Sequence, residues 1–110
     1  LGHILESYHQ LPHGIAVTFG IDFAIRWSVH RKYLDPRVFE KIHSFNAHFV
    51  PIKTLPIPKR SLEQLLNQDK KRTQSGQTRF VFLSDIGRPR IKAVTTSEFL
   101  AEALRQGWAQ

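Results

Sequence analysis

His3, Glu6, His9 and His13 crowd into the first thirteen residues of the chain. His3 and Glu6 are separated by three positions, so on a helix they share a face. His13 stands just before Gly14, at the entrance to a long apolar segment, where the positive end of a helix dipole favours anions. Neutral imidazoles and carboxylates suit zinc and similar ions, but such a site needs about three convergent protein ligands. No HExxH pattern is present, and Pro12 interrupts the His9–His13 spacing. By spacing alone, a metal site and ordinary polar or capping histidines both remain open. His30, His43 and His48 lack partners in sequence and read as structural or surface residues.

A second chemistry lies in the charges. Between Lys70 and Lys92 come Lys70, Lys71, Arg72, Arg79, Arg88, Arg90 and Lys92, against Asp85 as the acid of that stretch. The whole chain carries a formal charge of +7. Such a balance attracts anions without saying which: it fits a solvated face, a nucleic acid or a phosphorylated small molecule.

The elements that must position these residues follow from periodicity and punctuation. Ile4, Leu5 and Tyr8 make residues 1–9 the tail of a helix, broken by Pro12 and Gly14. Residues 14–33 form the most apolar segment. Ile15, Phe19, Phe23 and Trp27 lie on one stripe, and Val17, Ile21, Ile25 and Val29 on another. A helix apolar on both sides is expected to be central and buried. Asp35-Pro36 supplies an N-cap and a first-turn proline for a helix reaching about Phe49. Pro51, Pro56 and Pro58 make 50–60 an extended connector. Ser61-Leu62-Glu63-Gln64 is a capping-box pattern opening a short helix to about Lys71, followed by a polar loop, Arg72 to Gln77. Arg79–Ser84 and Arg90–Val94 read as strands around a turn. Thr95-Thr96-Ser97-Glu98 opens the last helix, through about Gln106. Phe80 and Phe82 are expected to pack on that helix through Phe99, Leu100 and Leu104. The fold class is mainly α with one β-hairpin, in a single domain covering 1–110.

Composition bounds the class. A hydrophobic fraction of 41% and a charged fraction of 23% are ordinary for a folded domain. No apolar run reaches the roughly 18–20 residues that span a bilayer, and the N-terminus lacks the pattern of a signal peptide. The absence of cysteine excludes disulfides and thiolate catalysis and fits a cytoplasmic location. The absence of methionine, even at position 1, suggests part of a longer protein.

Three ordered blocks carry a resemblance. Gly2-His3-Ile4-Leu5-Glu6, Pro12-His13-Gly14-Ile15-Ala16-Val17 and Gly20 resemble the GHTxGHAIE…HGEAVAxGM signature of 3-dehydroquinate synthases, starting at its second GH. Leu66-Asn67-Gln68-Asp69-Lys70-Lys71 resembles the MxxDKK segment of that family. Arg79-Phe80-Val81-Phe82-Leu83-Ser84-Asp85-Ile86-Gly87 is similar to its FVLLxxIG strand and turn. The resemblance implies the helical C-terminal domain of a sugar phosphate cyclase, without its N-terminal NAD-binding domain.

It also implies roles by position. His13 would be a zinc (or cobalt) ligand. His3 and Lys70 would be catalytic residues that reach the substrate phosphate, and Glu6 would orient its neighbours. No residue of this chain would bind the NAD cofactor, and the other metal ligands would lie in the preceding part of the parent. The implied activity is that of a carbon–oxygen lyase. It uses NAD catalytically to eliminate phosphate from a seven-carbon sugar phosphate and close the ring, in the shikimate pathway towards aromatic amino acids. The isolated chain would be inactive and could be free of cofactor. Implied partners are the phosphorylated sugar, the NAD-binding domain and a second subunit in a homodimer, with no nucleic acid and no membrane. Two departures stand out: Ile15 replaces the glutamate of HGE, and Ile21 with Asp22 follows Gly20 in place of methionine. These leave open a cyclase making another cyclitol. Iron-dependent alcohol and glycerol dehydrogenases share PHGxA, but lack the pairing of a DKK helix with the FVFLSDIG hairpin.

Overall fold

The computed structural model describes residues 1–71 and 78–110, with residues 69–71 described by backbone alone. The polar loop expected at Arg72 to Gln77 and the side chain of Lys70 therefore lie outside the described residues. In chain order come α1 (Gly2–Tyr8), α2 (His13–His30), α3 (Pro36–Phe49), α4 (Lys59–Lys71), β1 (Thr78–Asp85), β2 (Arg88–Val94) and α5 (Thr96–Gln106). The two strands pair as one hairpin, so the architecture is mainly α, as the periodicity implies. No helix among the described residues is long and apolar enough to cross a membrane.

The chain forms two compact units: Leu1–Lys53 with Val81–Arg90, and Thr54–Phe80 with Ile91–Gln110. In the first, α1 packs on α2 through glycines. A Cβ on Gly20 would lie 3.0 Å from the backbone nitrogen of Gly2, and one on Gly2 would lie 2.9 Å from the carbonyl oxygen of Ala16. Only side chains without a Cβ let these backbones approach so closely. Ile4 and Leu5 are buried from α1, and Ala16, Phe19, Phe23, Ile25 and Trp27 from α2. The two-sided burial expected of α2 holds only in its second half, because Val17 and Ile21 are both more than 40% exposed. Past His30 the chain turns through Lys32 in the left-handed region (φ 64°), and the amides of Tyr33 and Leu34 return to the Ser28 carbonyl.

The hairpin tip completes this unit. Leu83 N–H donates to Ser28 Oγ at 3.0 Å, while Ser28 Oγ–H donates to the Ala24 carbonyl at 2.7 Å. The Phe82 ring meets Trp27 edge-on at 5.0 Å and Tyr33 at 5.3 Å. Phe82 thus meets aromatic partners inside the first unit, and in the second unit Phe80 packs on Phe99 of α5 at 5.8 Å, as expected of it. Asp35 caps α3 by accepting from Arg37 N–H at 2.8 Å, with Pro36 in the first turn. The Arg37 guanidinium bonded to its carboxylate, followed by the Arg37 backbone amide, holds Asp35 below its ordinary value.

In the second unit, Leu62 and Leu66 of α4 and Phe99, Leu100 and Ala103 of α5 are buried. Helix α4 starts at Lys59, two residues before the Ser61 capping pattern. Pro58 offers its carbonyl to Leu62 N–H at 3.0 Å, so Ser61 falls inside the first turn and is no cap. Thr95 and Glu98 do form the expected capping box of α5. That helix ends in a Schellman motif: Gly107 is left-handed (φ 91°), and Trp108 N–H reaches the Ala103 carbonyl at 2.8 Å. Trp108 is then buried, and a parallel bridge pairs Ile57 with Ala109.

Candidate functional site

The α1–α2 contact brings two of the sequence-predicted residues together. Glu6, on the third-from-last position of α1, places Oε2 3.0 Å from Nδ1 of His13, the first residue of α2. The reason is local. Pro12 and Gln10, the latter at φ 54°, turn the chain back within four residues, and the Gly2–Gly20 contact fixes the helices face to face. Helix α2 begins without a side-chain cap, so its first amides add positive potential beside the Glu6 carboxylate.

The geometry has a chemical consequence. With Nδ1–H donating to Glu6, the imidazole of His13 keeps its lone pair on Nε2. The side chain is 76% exposed, so that nitrogen is open to a ligand. A carboxylate fixing the tautomer of a ligating histidine is the usual outer support of a metal site. The adjacent Gly14 leaves room, since a Cβ there would meet nothing within 4 Å. His13 therefore fits a zinc-type ion as one donor. Among the described residues no group of three His, Cys, Asp or Glu could hold a metal ion. The described residues offer an oriented donor, not a complete coordination shell.

The other predicted residues are distributed differently. His3 is exposed on α1, one turn before Glu6, and no hydrogen bond or ion pair joins it to His13 among the described residues. His9 ends α1, its amide capping the Leu5 carbonyl and its ring edge-on to Tyr8 at 5.0 Å. Lys70 belongs to the last turn of α4 in the second unit, its side chain outside the described residues.

In the first unit, sequence reasoning missed a polar cluster. Asp22 is 1% exposed on α2; it accepts from Arg26 Nε and pairs with His43 Nδ1, both at 2.6 Å. Phe39 stacks on His43 at 5.4 Å, and the Arg26 guanidinium lies over the same Phe39 ring at 5.1 Å. This clip ties α3 to α2. The available signal was Asp22 itself, an acid within a helix otherwise apolar on both sides and four residues before an arginine.

A profile of the 3-dehydroquinate synthase C-terminal domain matches residues 1–72. Two relatives resemble nearly the whole chain. The 3-dehydroquinate synthase of Thermoanaerobacter pseudethanolicus is 27% identical over 104 residues, covering 91% of this chain and 29% of the relative. The bifunctional shikimate kinase/3-dehydroquinate synthase of Thermotoga maritima is 29% identical over 105 residues, covering 91% of this chain and 20% of the relative. The chain thus spans less than a third of the length of either. With most of its length matched and the Glu6–His13 pair formed at the matched helices, the chain belongs to the 3-dehydroquinate synthase C-terminal family.

Proposed function

We propose that the chain is the substrate- and metal-binding part of a 3-dehydroquinate synthase-like sugar phosphate cyclase acting in the shikimate pathway in the cytoplasm. The observation that supports this most is the Glu6–His13 pair, a carboxylate-oriented imidazole with its second nitrogen open. His13 would give Nε2 to zinc or cobalt, and Glu6 would hold the ring and its tautomer. When bound, the ion supplies Lewis-acid polarisation of substrate hydroxyls. His3 and Lys70 are the proposed contacts to the substrate phosphate. The excess of cations, +7 over the chain, favours capture of such an anion. NAD would be bound by another domain and would supply a hydride acceptor and donor for a substrate alcohol and its carbonyl form, the redox chemistry that phosphate elimination and ring closure require. A homodimer is part of the same proposal. Ile15, where the family has glutamate, favours a second reading in which the scaffold accepts a different sugar phosphate and makes another cyclitol.

The test uses the full-length gene product that contains Leu1–Gln110, purified with NAD and zinc. Phosphate release from 3-deoxy-arabino-heptulosonate 7-phosphate is expected, and is expected to vanish in His13→Ala and Lys70→Ala. Zinc titration gives an independent readout: Glu6→Gln should weaken binding by about 10–100-fold. A folded protein that binds NAD and zinc but releases no phosphate from this substrate would transfer the proposal to other sugar phosphates. Zinc affinity unchanged in His13→Ala would remove the metal role altogether.

A further inference from the structure

Helix α3 is amphipathic, yet none of its residues is fully buried. At ~100° per residue, Val38, Ile42, Phe45 and Phe49 fall on one stripe. Phe45 and Phe49 are each 67% exposed, with their rings edge-on at 5.2 Å. Facing the stripe within the same unit is the hairpin turn, where Ile86 is 65% exposed. Between them lies a groove of about 420 Å³, lined by Lys41, Ile42 and Phe45 on one side and Leu83, Ile86 and Gly87 on the other. Large apolar side chains gathered around one groove differ from the single exposed residues of ordinary surfaces and mark an interaction site.

Charge decides what the groove can accept. Arg37, Lys41 and His48 run along one edge of the stripe, roughly 40–80° from Phe45 at the helical repeat. Glu40, the acid of α3, lies about 140° away on the far side. Arg37 is partly neutralised by Asp35 at 3.0 Å; no carboxylate pairs with Lys41 among the described residues. A second copy fits poorly. In an antiparallel pair of helices each edge meets its own counterpart, so this cationic edge would face itself between chains that each carry +7.

We propose that the stripe of α3 and the hairpin tip form a docking groove for an amphipathic helix of a partner protein, one whose apolar face is bordered by carboxylates. The partner helix inserts apolar side chains against Ile42, Phe45 and Ile86, in the helix-in-groove mode, and sets its acids against Lys41 and His48. The proposal is independent of the metal and substrate reading, because none of these residues belongs to the Glu6–His13 site.

The test uses the 110-residue chain and a fluorescein-labelled helical peptide of about 16 residues, with leucines at i, i+3, i+4 and i+7 and glutamates along one edge. A second peptide carries lysines in their place. Fluorescence anisotropy should show the glutamate peptide binding at least tenfold tighter, with the gap narrowing at about 1 M salt. The double variant Phe45→Ser/Phe49→Ser should lose binding at least tenfold while its thermal unfolding stays within a few degrees, since both rings are exposed. Lys41→Glu should reverse the preference between peptides. Equal binding of the two peptides would overturn the proposal. So would sedimentation showing a dimer of the chain that the double serine variant dissolves, which would make a second copy the occupant. Binding by the 110-residue chain that is absent in a longer parent protein would equally overturn it, by showing the groove filled from within the same polypeptide.

Discussion

Replacing Gly20 by alanine should separate α1 from α2, and with them Glu6 from His13. The added Cβ would lie 3.0 Å from the Gly2 nitrogen and 3.1 Å from the Gly2 Cα, both backbone atoms that cannot rotate away. Carbon atoms in favourable contact are about 3.5–4.0 Å apart, so α1 must retreat by about 0.5 Å or more. Overpacking of this kind costs about 1–3 kcal/mol, whereas alanine in place of glycine inside a helix returns close to 1 kcal/mol. The net loss is about 1 kcal/mol. Gly14→Ala is the matched control, because its Cβ meets nothing within 4 Å and it should be neutral or slightly stabilising. Urea unfolding of the two variants, compared at equal m-values, reads the difference. Amide hydrogen exchange should place the loss in α1 and the first turns of α2, and nuclear Overhauser contacts between Glu6 and His13 should weaken. If Gly20→Ala unfolds with Gly14→Ala, or its faster exchange appears in α5 instead, the close approach of these helices is not what positions the pair.

Removing Asp22 should be the most damaging polar change. Asp22→Ala leaves His43 and Arg26 without their shared acceptor, and breaking a buried pair costs about 3–5 kcal/mol at full burial. The partial exposure of Arg26 places the expected loss at the lower end, about 3 kcal/mol, measured by thermal unfolding. Gly107→Ala should cost about 1–2 kcal/mol in urea unfolding, from placing a Cβ in the left-handed region at φ 91°. The start of α3 should depend on acid. Free Asp35 titrates near 3.8 and the folded form lower, because of the Arg37 guanidinium and amide. Between those values the unfolded chain binds more protons, so the cap's contribution is complete above about 3.8 and is lost as pH falls through the folded value. Exchange of the Arg37 amide should accelerate across that window in the wild type and show no such step in Asp35→Asn.

How much of this could be read from the sequence depends on the range of the interactions involved. The helices and hairpin were legible because their signals are local: Asp35-Pro36 caps α3, Thr95 and Glu98 cap α5, and alternation marks the strands. The start of α4 was misread because Ser61 imitates a cap within a turn already set by Pro58. The family also came from the chain alone, through ordered blocks that need no coordinates, and so did the candidates His3, Glu6, His13 and Lys70. What the sequence could not supply was pairing at a distance. That Glu6 bonds to His13 depends on two glycines eighteen positions apart letting α1 and α2 touch. That His43 answers Asp22 depends on α3 folding back along α2, and that Phe82 packs on Trp27 depends on where the hairpin tip lands. Local propensity and periodicity are written in neighbouring residues, whereas side chains far apart meet only after the backbone has closed on itself. The sequence by itself therefore determined the elements, the family and the residues able to do chemistry. The tertiary structure decided which of them meet, and left the apolar stripe of α3 facing outwards.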